Sequence, residues 1–289
     1  MTPEVMDPDR SDLHNAPMSG NLRLHERPFA HAGSLLRDWR AARRMSQLDL
    51  ALEANVSPRH LSYLETGRSQ PGRDLVARLA DALDMPLRER NALLVAAGYA
   101  PEYRESALDT ARMGPVRKAI EFIIRHQEPY PAFVMNRHWD VLMVNGALER
   151  VFYALRGGPP LHTNIMRQVF DPRDMRPFLR NWEEVAGDLI RHLHDEVAAA
   201  PTDAVAKGLL DEVLALPDVP AKWRRRDLDA APVPLLTTVF GNGDLELRFF
   251  STFTTFGTPH DITLDELRIE CMFPADDETA ALCRRLSRR

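Results

Sequence analysis

One stretch of the chain, Gln47 to Thr66, constrains the fold more than any other feature of the sequence. It reads QLDLALEANVSPRHLSYLET, two short segments of mixed apolar and polar residues separated by a turn. In the first segment the apolar residues recur at helical spacing: Leu48, Ala51 and Leu52, with Leu50 and Ala54 filling the stripe. This segment predicts a helix that packs one face against a core.

The turn between the two segments is marked by residues that favour its backbone geometry. Asn55 tolerates the left-handed conformation better than most residues. Ser57 is a good N-cap, and Pro58 is preferred at the first position of a helix. Gly67 suits the end of that helix. These residues predict a second short helix that starts at Pro58 and ends before Gly67.

The second helix has an inner side and an open side. Leu61 and Leu64 lie three residues apart and are predicted to point inward. The open side then carries Arg59, His60, Ser62, Tyr63 and Thr66. A short helix anchored on one side and polar on the other has the shape required to lie in a DNA groove.

The spacing across both helices resembles the helix-turn-helix of the lambda-repressor-like, or XRE, family of transcriptional regulators. The likeness rests on Gln47 at the start of the first helix, Ala51 four residues later, the pair Leu61 and Leu64, and the Glu-x-Gly-x-x-x-Pro sequence of Glu65, Gly67 and Pro71. Asn55 departs from the family, in which Gly is common at this turn. The resemblance implies a compact bundle of helices that binds double-stranded DNA.

The open side supplies candidate DNA contacts, and the alternative for each is a solvated surface residue. Within the major groove, Arg59 is placed to bond guanine, and Gln47 to bond a phosphate near a helix N-terminus. The full candidate set is Gln47, Ser57, Arg59, His60, Ser62 and Tyr63, with Arg44 and Arg68 as further phosphate contacts. DNA would repel the carboxylate of Glu65, so we expect it to pair with an arginine of the helix before Gln47.

Composition is that of a globular protein without a membrane segment. The chain has 289 residues, of which 44% are hydrophobic and 27% charged. It lacks both an apolar run of spanning length and the regions of a secretory signal, so we expect a cytoplasmic, nucleoid-associated protein. Cys271 and Cys283 have no metal-like spacing and are expected to stay reduced.

The distribution of charge favours a local DNA contact over a general coating of nucleic acid. The formal net charge is -5. Residues 34–84, by contrast, hold eight arginines and seven acidic residues. Four of those arginines lie just before the motif, where they are available to contact the phosphate backbone of DNA. They are Arg37, Arg40, Arg43 and Arg44.

The pattern along the chain predicts a multidomain protein. We expect a disordered tail over residues 1–30, an all-α five-helix helix-turn-helix domain over 31–98, a linker over 99–115 and a second domain over 116–289. In the second domain, helices are predicted at 116–126, 145–155, 163–170, 177–199, 202–216 and 276–286. Strands are predicted at 132–135, 139–144, 235–240, 245–256 and 267–273. This order fits an α+β PAS-like domain, an antiparallel five-stranded sheet with helices on one side.

The second half resembles the ligand-binding domain of MmyB-like transcription regulators. The motifs that carry the likeness are Trp139-Asp140-Val141-Leu142 with Asn145, Asp171-Pro172, Asn181-Trp182-Glu183, and Lys222-Trp223-Arg224-Arg225-Arg226-Asp227-Leu228. The resemblance implies that this domain senses a small lipophilic molecule, fatty acids among them.

Aromatic and methionine side chains around the predicted sheet are candidates for the lining of a ligand pocket. They are Tyr130, Phe133, Met135, Trp139, Met143, Phe170, Trp182, Phe249 and Phe253. Ordinary core packing is the alternative for each of them.

The sequence gives little support to an enzymatic function, and we expect no catalytic residue, metal or cofactor. His192 and His194 are two apart on a predicted helix, so they point to different sides. Gly241-Asn242-Gly243 forms a hairpin turn and is not followed by the helix that a phosphate-binding loop requires.

The sequence therefore predicts a homodimeric regulator that reads a palindromic operator and responds to a lipophilic effector. The alternatives are a second domain that binds another protein, and an enzyme with a DNA-binding appendage.

Overall fold

The structure is a computed structural model that describes residues 30–200, 202–226 and 235–288. The predicted disordered tail lies outside these residues, apart from Ala30 at the start of the first helix. Three hydrophobic cores are found among the described residues. One belongs to an N-terminal helical bundle, and the other two lie on opposite faces of the sheet in a C-terminal α+β domain.

Five helices form the N-terminal bundle, which confirms the prediction from the sequence. They are α1 (Ala30–Ala42), α2 (Gln47–Glu53), α3 (Pro58–Glu65), α4 (Arg73–Ala82) and α5 (Leu87–Ala96). Their core is built around Trp39, Leu61, Leu64 and Leu79, which are almost completely buried.

The local signals around the turn form as predicted. Ser46 caps α2 in a capping box with Asp49, and the Ser57 hydroxyl accepts a hydrogen bond from the N–H of His60 at the start of α3. Asn55 adopts a left-handed conformation with φ of 51°, and Gly67 ends α3 with φ of 66°. Side-chain caps therefore mark where α2 and α3 begin, and residues that accept a left-handed backbone mark where they end.

The buried face of α2 differs from the predicted one. Leu50, Ala51 and Ala54 are buried, whereas Leu48 is 54% exposed and Leu52 is 71% exposed. Residues three and four apart share a helix face, so the buried set leaves Leu48 and Leu52 on the opposite side. The predicted stripe was wrong for these two leucines because α2 is only two turns long and offers two competing apolar faces.

The C-terminal domain contains seven helices and five strands among the described residues. The helices are α6 (Gly114–His126), α7 (Gly146–Arg156), α8 (Ile165–Phe170), α9 (Trp182–Ala199), α10 (Ala204–Leu214), α11 (Ile262–Glu266) and α12 (Asp277–Leu286). The strands are β1 (Ala132–Met135), β2 (Val141–Val144), β3 (Thr237–Asn242), β4 (Leu245–Thr254) and β5 (Arg268–Pro274). Helix α9 begins later than predicted because Pro177 lies in a separate 3-10 helix, Arg176–Phe178.

The five strands form one antiparallel sheet in the order β2-β1-β5-β4-β3. Short segments cover part of both edges: the N–H of Val141 in β2 donates to Thr163 O, and the N–H of Arg180 donates to Val239 O in β3. Strand β2 lies at one edge of the sheet and leaves Leu142 42% exposed.

Helices cover both faces of the sheet, which corrects the prediction of helices on one side. Phe133, Met135 and Met272 face the large core formed with α7, α8, α9 and α10. The alternating residues Val134 and Ile269 face the other way and pack against α6. The amphipathic α6 was recognised in the sequence, but its place on the opposite face depends on strand pairing that no local pattern records.

Candidate nucleic-acid interface and effector cleft

Helix α3 presents the predicted open side to solvent. Leu61 and Leu64 are buried, while Ser57 and Arg59 are exposed and His60, Ser62 and Tyr63 are half-buried. Arg44 and Arg68 are also exposed. In the described part of the chain none of Arg44, Arg59 and Arg68 has an ion pair, so their charges are available to an anionic partner.

Tyr63 organises the cationic side chains of α3. The Arg59 Nε–H donates to the Tyr63 hydroxyl at 3.0 Å, and the Arg59 guanidinium carbon lies 5.5 Å from the Tyr63 ring centroid. The guanidinium carbon of Arg68 lies 6.0 Å from the same centroid. These contacts restrict the Arg59 side chain and leave its two terminal nitrogens without a partner among the described residues.

A buried carboxylate joins α3 to α1 and α2. The Glu65 side chain is 1% exposed and accepts hydrogen bonds from Arg40 Nε at 2.7 Å and Arg40 Nη2 at 3.0 Å. The expected pairing of Glu65 with an arginine of the first helix is confirmed. Gln47 also donates from Nε2 to Glu65 at 2.8 Å. One amide hydrogen of Gln47 is therefore engaged inside the protein, and the second has no partner among the described residues.

The predicted pocket residues do not come together around one cavity. Phe133, Met135, Trp139, Phe170 and Phe249 are buried in the large core, against which Tyr130 and Trp182 pack. Met143 packs with the small core on the opposite face of the sheet. Phe253, near the end of β4, is 52% exposed. Core packing accounts for most of this set.

A cleft of about 1020 Å³ lies elsewhere in the C-terminal domain, beside the edge strand β3. Its apolar surface comes from Ile190 on α9, Trp223, Leu236 and Val239, and the Trp223 ring lies beside Gly187 of α9. Five basic side chains also line it: Arg191, Lys222, Arg225, Arg226 and Arg248. The sequence signal for this cleft is the basic run around Trp223, which carries the family resemblance but did not by itself predict a pocket.

Two of the basic side chains in the cleft are uncommitted. Arg191 pairs with Asp188, Arg226 with Asp195 and Arg248 with Glu246. Lys222 and Arg225 have no ion pair among the described residues. The cleft therefore joins an apolar surface to an excess of basic side chains, five against the three carboxylates of Glu184, Asp188 and Asp276.

Trp223, the aromatic residue that lines the cleft, packs against two aromatic rings on the side of the core. The Trp223 ring packs 5.5 Å from the Trp182 ring and 6.2 Å from the Phe170 ring, measured between centroids. The carbonyl oxygen of Trp223 lies 2.8 Å from Nε2 of His194, which carries the proton of this hydrogen bond. Trp182 and Phe170, both predicted as lining, thus support the cleft from the core side.

The histidines of α9 have separate environments, as expected. His192 Nδ1 lies 3.5 Å from a carboxylate oxygen of Asp188, whereas His194 contacts Trp223. Within the described residues no cluster of three or more His, Cys, Asp or Glu side chains has the arrangement of a metal site. The helices of the described chain also include none with the length and apolar character needed to cross a bilayer.

Glu270 is the carboxylate whose pKa is raised most clearly. It lies on β5 opposite Phe133 and Phe253, and burial raises its pKa from 4.5 to about 7, against the effect of a hydrogen bond from Ser251. The folded state therefore binds this proton more tightly than the unfolded state does. Stability from Glu270 is complete below about pH 4.5 and is lost as the pH rises through about 7.

We expect Glu270→Gln to remove this pH dependence. Relative to the variant, the wild type should lose up to about 3 kcal/mol of stability between about pH 5 and about pH 8. The side chain keeps a partial opening to solvent, which makes that figure an upper limit. Urea unfolding of both proteins across this range measures the difference. A constant difference would show that Glu270 ionises normally.

Comparison with known proteins matches both halves of the chain. Residues 31–93 match the helix-turn-helix domain, and residues 116–286 match the MmyB-like transcription regulator ligand binding domain, which is more than half of the chain. The chain belongs to the MmyB-like transcription regulators. The likeness of the second half, first noted on short motifs, therefore extends over the sheet and the helices of both faces.

Relatives of this MmyB-like regulator include HTH-type transcriptional regulators of Mycobacterium bovis and Mycobacterium tuberculosis. Each is 32% identical over 126 residues, which is 43% of this chain and 45% of the relative. The match thus spans less than half the length of these relatives. The clp gene regulator ClgR of C. glutamicum is a solved structure with 32% identity, a TM-score of 0.22, and coverage of 24% of this chain and 88% of its own.

Proposed function

We propose that this MmyB-like regulator binds a palindromic DNA operator as a homodimer and reads it with the open side of α3. The observation that carries the proposal is the exposed Arg59, held by Tyr63 with both terminal nitrogens unpartnered in the described residues. A bidentate contact from such a fork to guanine O6 and N7 is the commonest specific contact in the major groove. Arg44, Arg68 and Gln47 would hold the phosphates on either side, and the setting would be the cytoplasmic nucleoid.

Arg59→Ala should remove sequence preference while it preserves the fold. We expect a loss of about 1–3 kcal/mol on the preferred operator, with little change on unrelated DNA. Fluorescence anisotropy with operators selected from a random pool measures both affinities. Gln47→Ala is the matched comparison, because loss of a phosphate contact weakens binding to all sequences alike. If both variants kept the affinity and preference of the wild type, the proposed docking would be wrong.

The second part of the proposal concerns the effector. We propose that the cleft beside β3 takes a small lipophilic acid, of the fatty-acid type. Its support is the combination of Ile190, Trp223 and Val239 with Lys222 and Arg225, which form no ion pair within the described residues. Apolar surface would bury the hydrocarbon body, and the cations would attract the carboxylate. Such an effector regulates only if it binds one arrangement of the two DNA-binding heads more tightly than another.

Native mass spectrometry of the purified protein tests the effector directly. We expect a carried-over mass of lipid size, and a thermal shift with decanoate, myristate or palmitate that falls when both Lys222 and Arg225 are changed to Gln. Arg167→Gln, which removes a surface pair with Glu212 in the same domain, is the matched control. Absence of any bound mass and any thermal shift would favour the alternative, in which the domain binds another protein.

A further inference from the structure

The start of α5 in the DNA-binding bundle lacks a cap of its own. Pro86 occupies its N-cap position and provides no side-chain hydrogen bond to the first turn. The missing partner comes from the other domain, because the N–H of Leu87 donates to the Asp265 carboxylate of α11 at 3.2 Å. A carboxylate at a helix N-terminus is stabilised by the unpaired N–H groups and by the helix dipole. The C-terminal domain thus completes a helix of the bundle.

Arg137, in the turn between β1 and β2, is the centre of the contact between the two domains. Its guanidinium donates to Glu266 of α11 at 3.0 Å and bonds Asp203, the N-cap of α10. It also lies 3.9 Å from the carboxylate of Glu89 in α5. The side chains of Glu89 and Asp203 are only 6% and 7% exposed. One cation of the C-terminal domain therefore serves three largely buried carboxylates, one of which belongs to the bundle.

Further polar contacts from α5 meet the same surface. Arg88 binds Glu266 through Nε at 2.7 Å and Nη2 at 3.1 Å. The Thr202 hydroxyl donates to Glu89 at 3.1 Å. We call the set of Arg137, Thr202, Asp203, Asp265 and Glu266 the docking surface.

Ion pairs and hydrogen bonds, more than apolar packing, hold the two domains together at this surface. A space of about 760 Å³ opens beside it and is bordered by Arg88, Glu89, Arg137 and Asp203. Interfaces of this polar, loosely packed kind permit domains to move relative to each other. The orientation of the bundle therefore depends on a small number of charged contacts. Arg88 pairs with Glu266 across the interface and Arg137 with Glu89. Arg137 also holds Glu266 and Asp203 of its own domain in place.

Helix α9 connects the docking surface to the cleft beside β3. Gly187, Ile190 and His194 of α9 line the cleft. Two residues after His194, Glu196 accepts a hydrogen bond from Trp139 Nε1 at 2.8 Å, and Trp139 lies two residues from Arg137 in the turn between β1 and β2. After α9 the chain passes directly to Thr202 and Asp203.

We propose that the docking surface binds the first turn of α5 and thereby fixes the orientation of the DNA-binding bundle, with α9 linking that orientation to the cleft. This inference rests on the proposed function for its regulatory meaning. The docking itself requires neither DNA nor effector, so it can be tested in their absence.

Hydrogen exchange of the intact protein, without DNA or effector, is the test. Arg137→Gln should speed amide exchange in the first turn of α5 and at the start of α10 by at least about tenfold, with exchange in α3 unchanged. Glu89→Gln removes the partner on the bundle and should give the same increase in α5. The double variant should add little to either single change, because both disrupt one contact.

Arg167→Gln is again the matched control, since it removes an ion pair of the same domain, between α8 and α10, that does not involve α5. Unchanged exchange in α5 in both single variants would overturn the proposal. If Arg137→Gln failed to fold, Glu89→Gln and Asp265→Asn would still decide it, because both leave the pairs of Arg137 with Asp203 and Glu266 in place. Failure of operator reading would appear instead in the Arg59→Ala experiment, where α5 stays protected.

Discussion

Arg40→Ala should destabilise the DNA-binding bundle by about 3–5 kcal/mol, the largest effect we expect from any single charge removal in this domain. The reason is the environment of Glu65, whose side chain is 1% exposed and whose two oxygens both accept from Arg40. Without Arg40, the carboxylate keeps only the amide of Gln47 as a side-chain donor. A buried charge that loses its ion partner lowers stability by more than the intact ion pair contributes to it.

Native-state hydrogen exchange of the α3 amides measures this effect within the bundle, separately from the C-terminal domain. Arg73→Ala is the matched control: Arg73 pairs with Glu102 on the surface, both side chains are about half exposed, and the loss should stay below about 1 kcal/mol. Glu65→Gln should restore part of the stability lost in Arg40→Ala, because it removes the stranded charge. Equal effects of Arg40→Ala and Arg73→Ala would show that Glu65 is solvated.

Leu61→Ala should destabilise the bundle by about 2–5 kcal/mol and abolish operator binding at temperatures where the wild type binds. Leu61 is fully buried, and with Leu64 it fixes α3 to the body of the bundle. Truncation leaves a cavity beneath α3, the helix that we propose reads the operator with its outer side. Thermal unfolding followed by circular dichroism, together with anisotropy on the operator, measures both consequences.

Leu52→Ala is the matched control for this second change. Leu52 lies on α2 and is 71% exposed, so the same truncation should alter stability by less than about 0.5 kcal/mol. Comparable losses in the two variants would mean that Leu52 is covered in solution, for example by a partner chain. The leucine pair therefore tests the corrected packing of α2 as well as the anchoring of α3.

Local chemistry explains why the sequence predicted the helix-turn-helix so fully. Asn55, Ser57 and Gly67 each act within a few residues through backbone preference or capping. The local sequence therefore predicts where α2 and α3 begin and end. The apolar face of α3 was clear because Leu61 and Leu64 have no apolar competitor on the open side. In α2 the competing leucines Leu48 and Leu52 made the face ambiguous over only two turns.

The C-terminal domain was predictable in its strands and helices but not in its sites. Aromatic side chains such as Phe170 and Phe249 serve a core and a pocket equally well, and only the three-dimensional packing distinguishes the two. The cleft combines α9 with residues around Trp223 and β3, which are far apart in the chain. The contact of Arg137 with Glu89 likewise joins two domains, and no local sequence pattern predicts such a pairing.

Methylation interference on a selected operator tests the central claim, that α3 enters the major groove with Arg59 foremost. Dimethyl sulfate modifies guanine at N7 in the major groove and adenine at N3 in the minor groove. We predict that methylation of guanine N7 in each half-site blocks binding of the wild type, and that this interference disappears at one guanine per half-site in Arg59→Ala. Interference confined to adenine N3, or an identical pattern for the two proteins, would contradict the account.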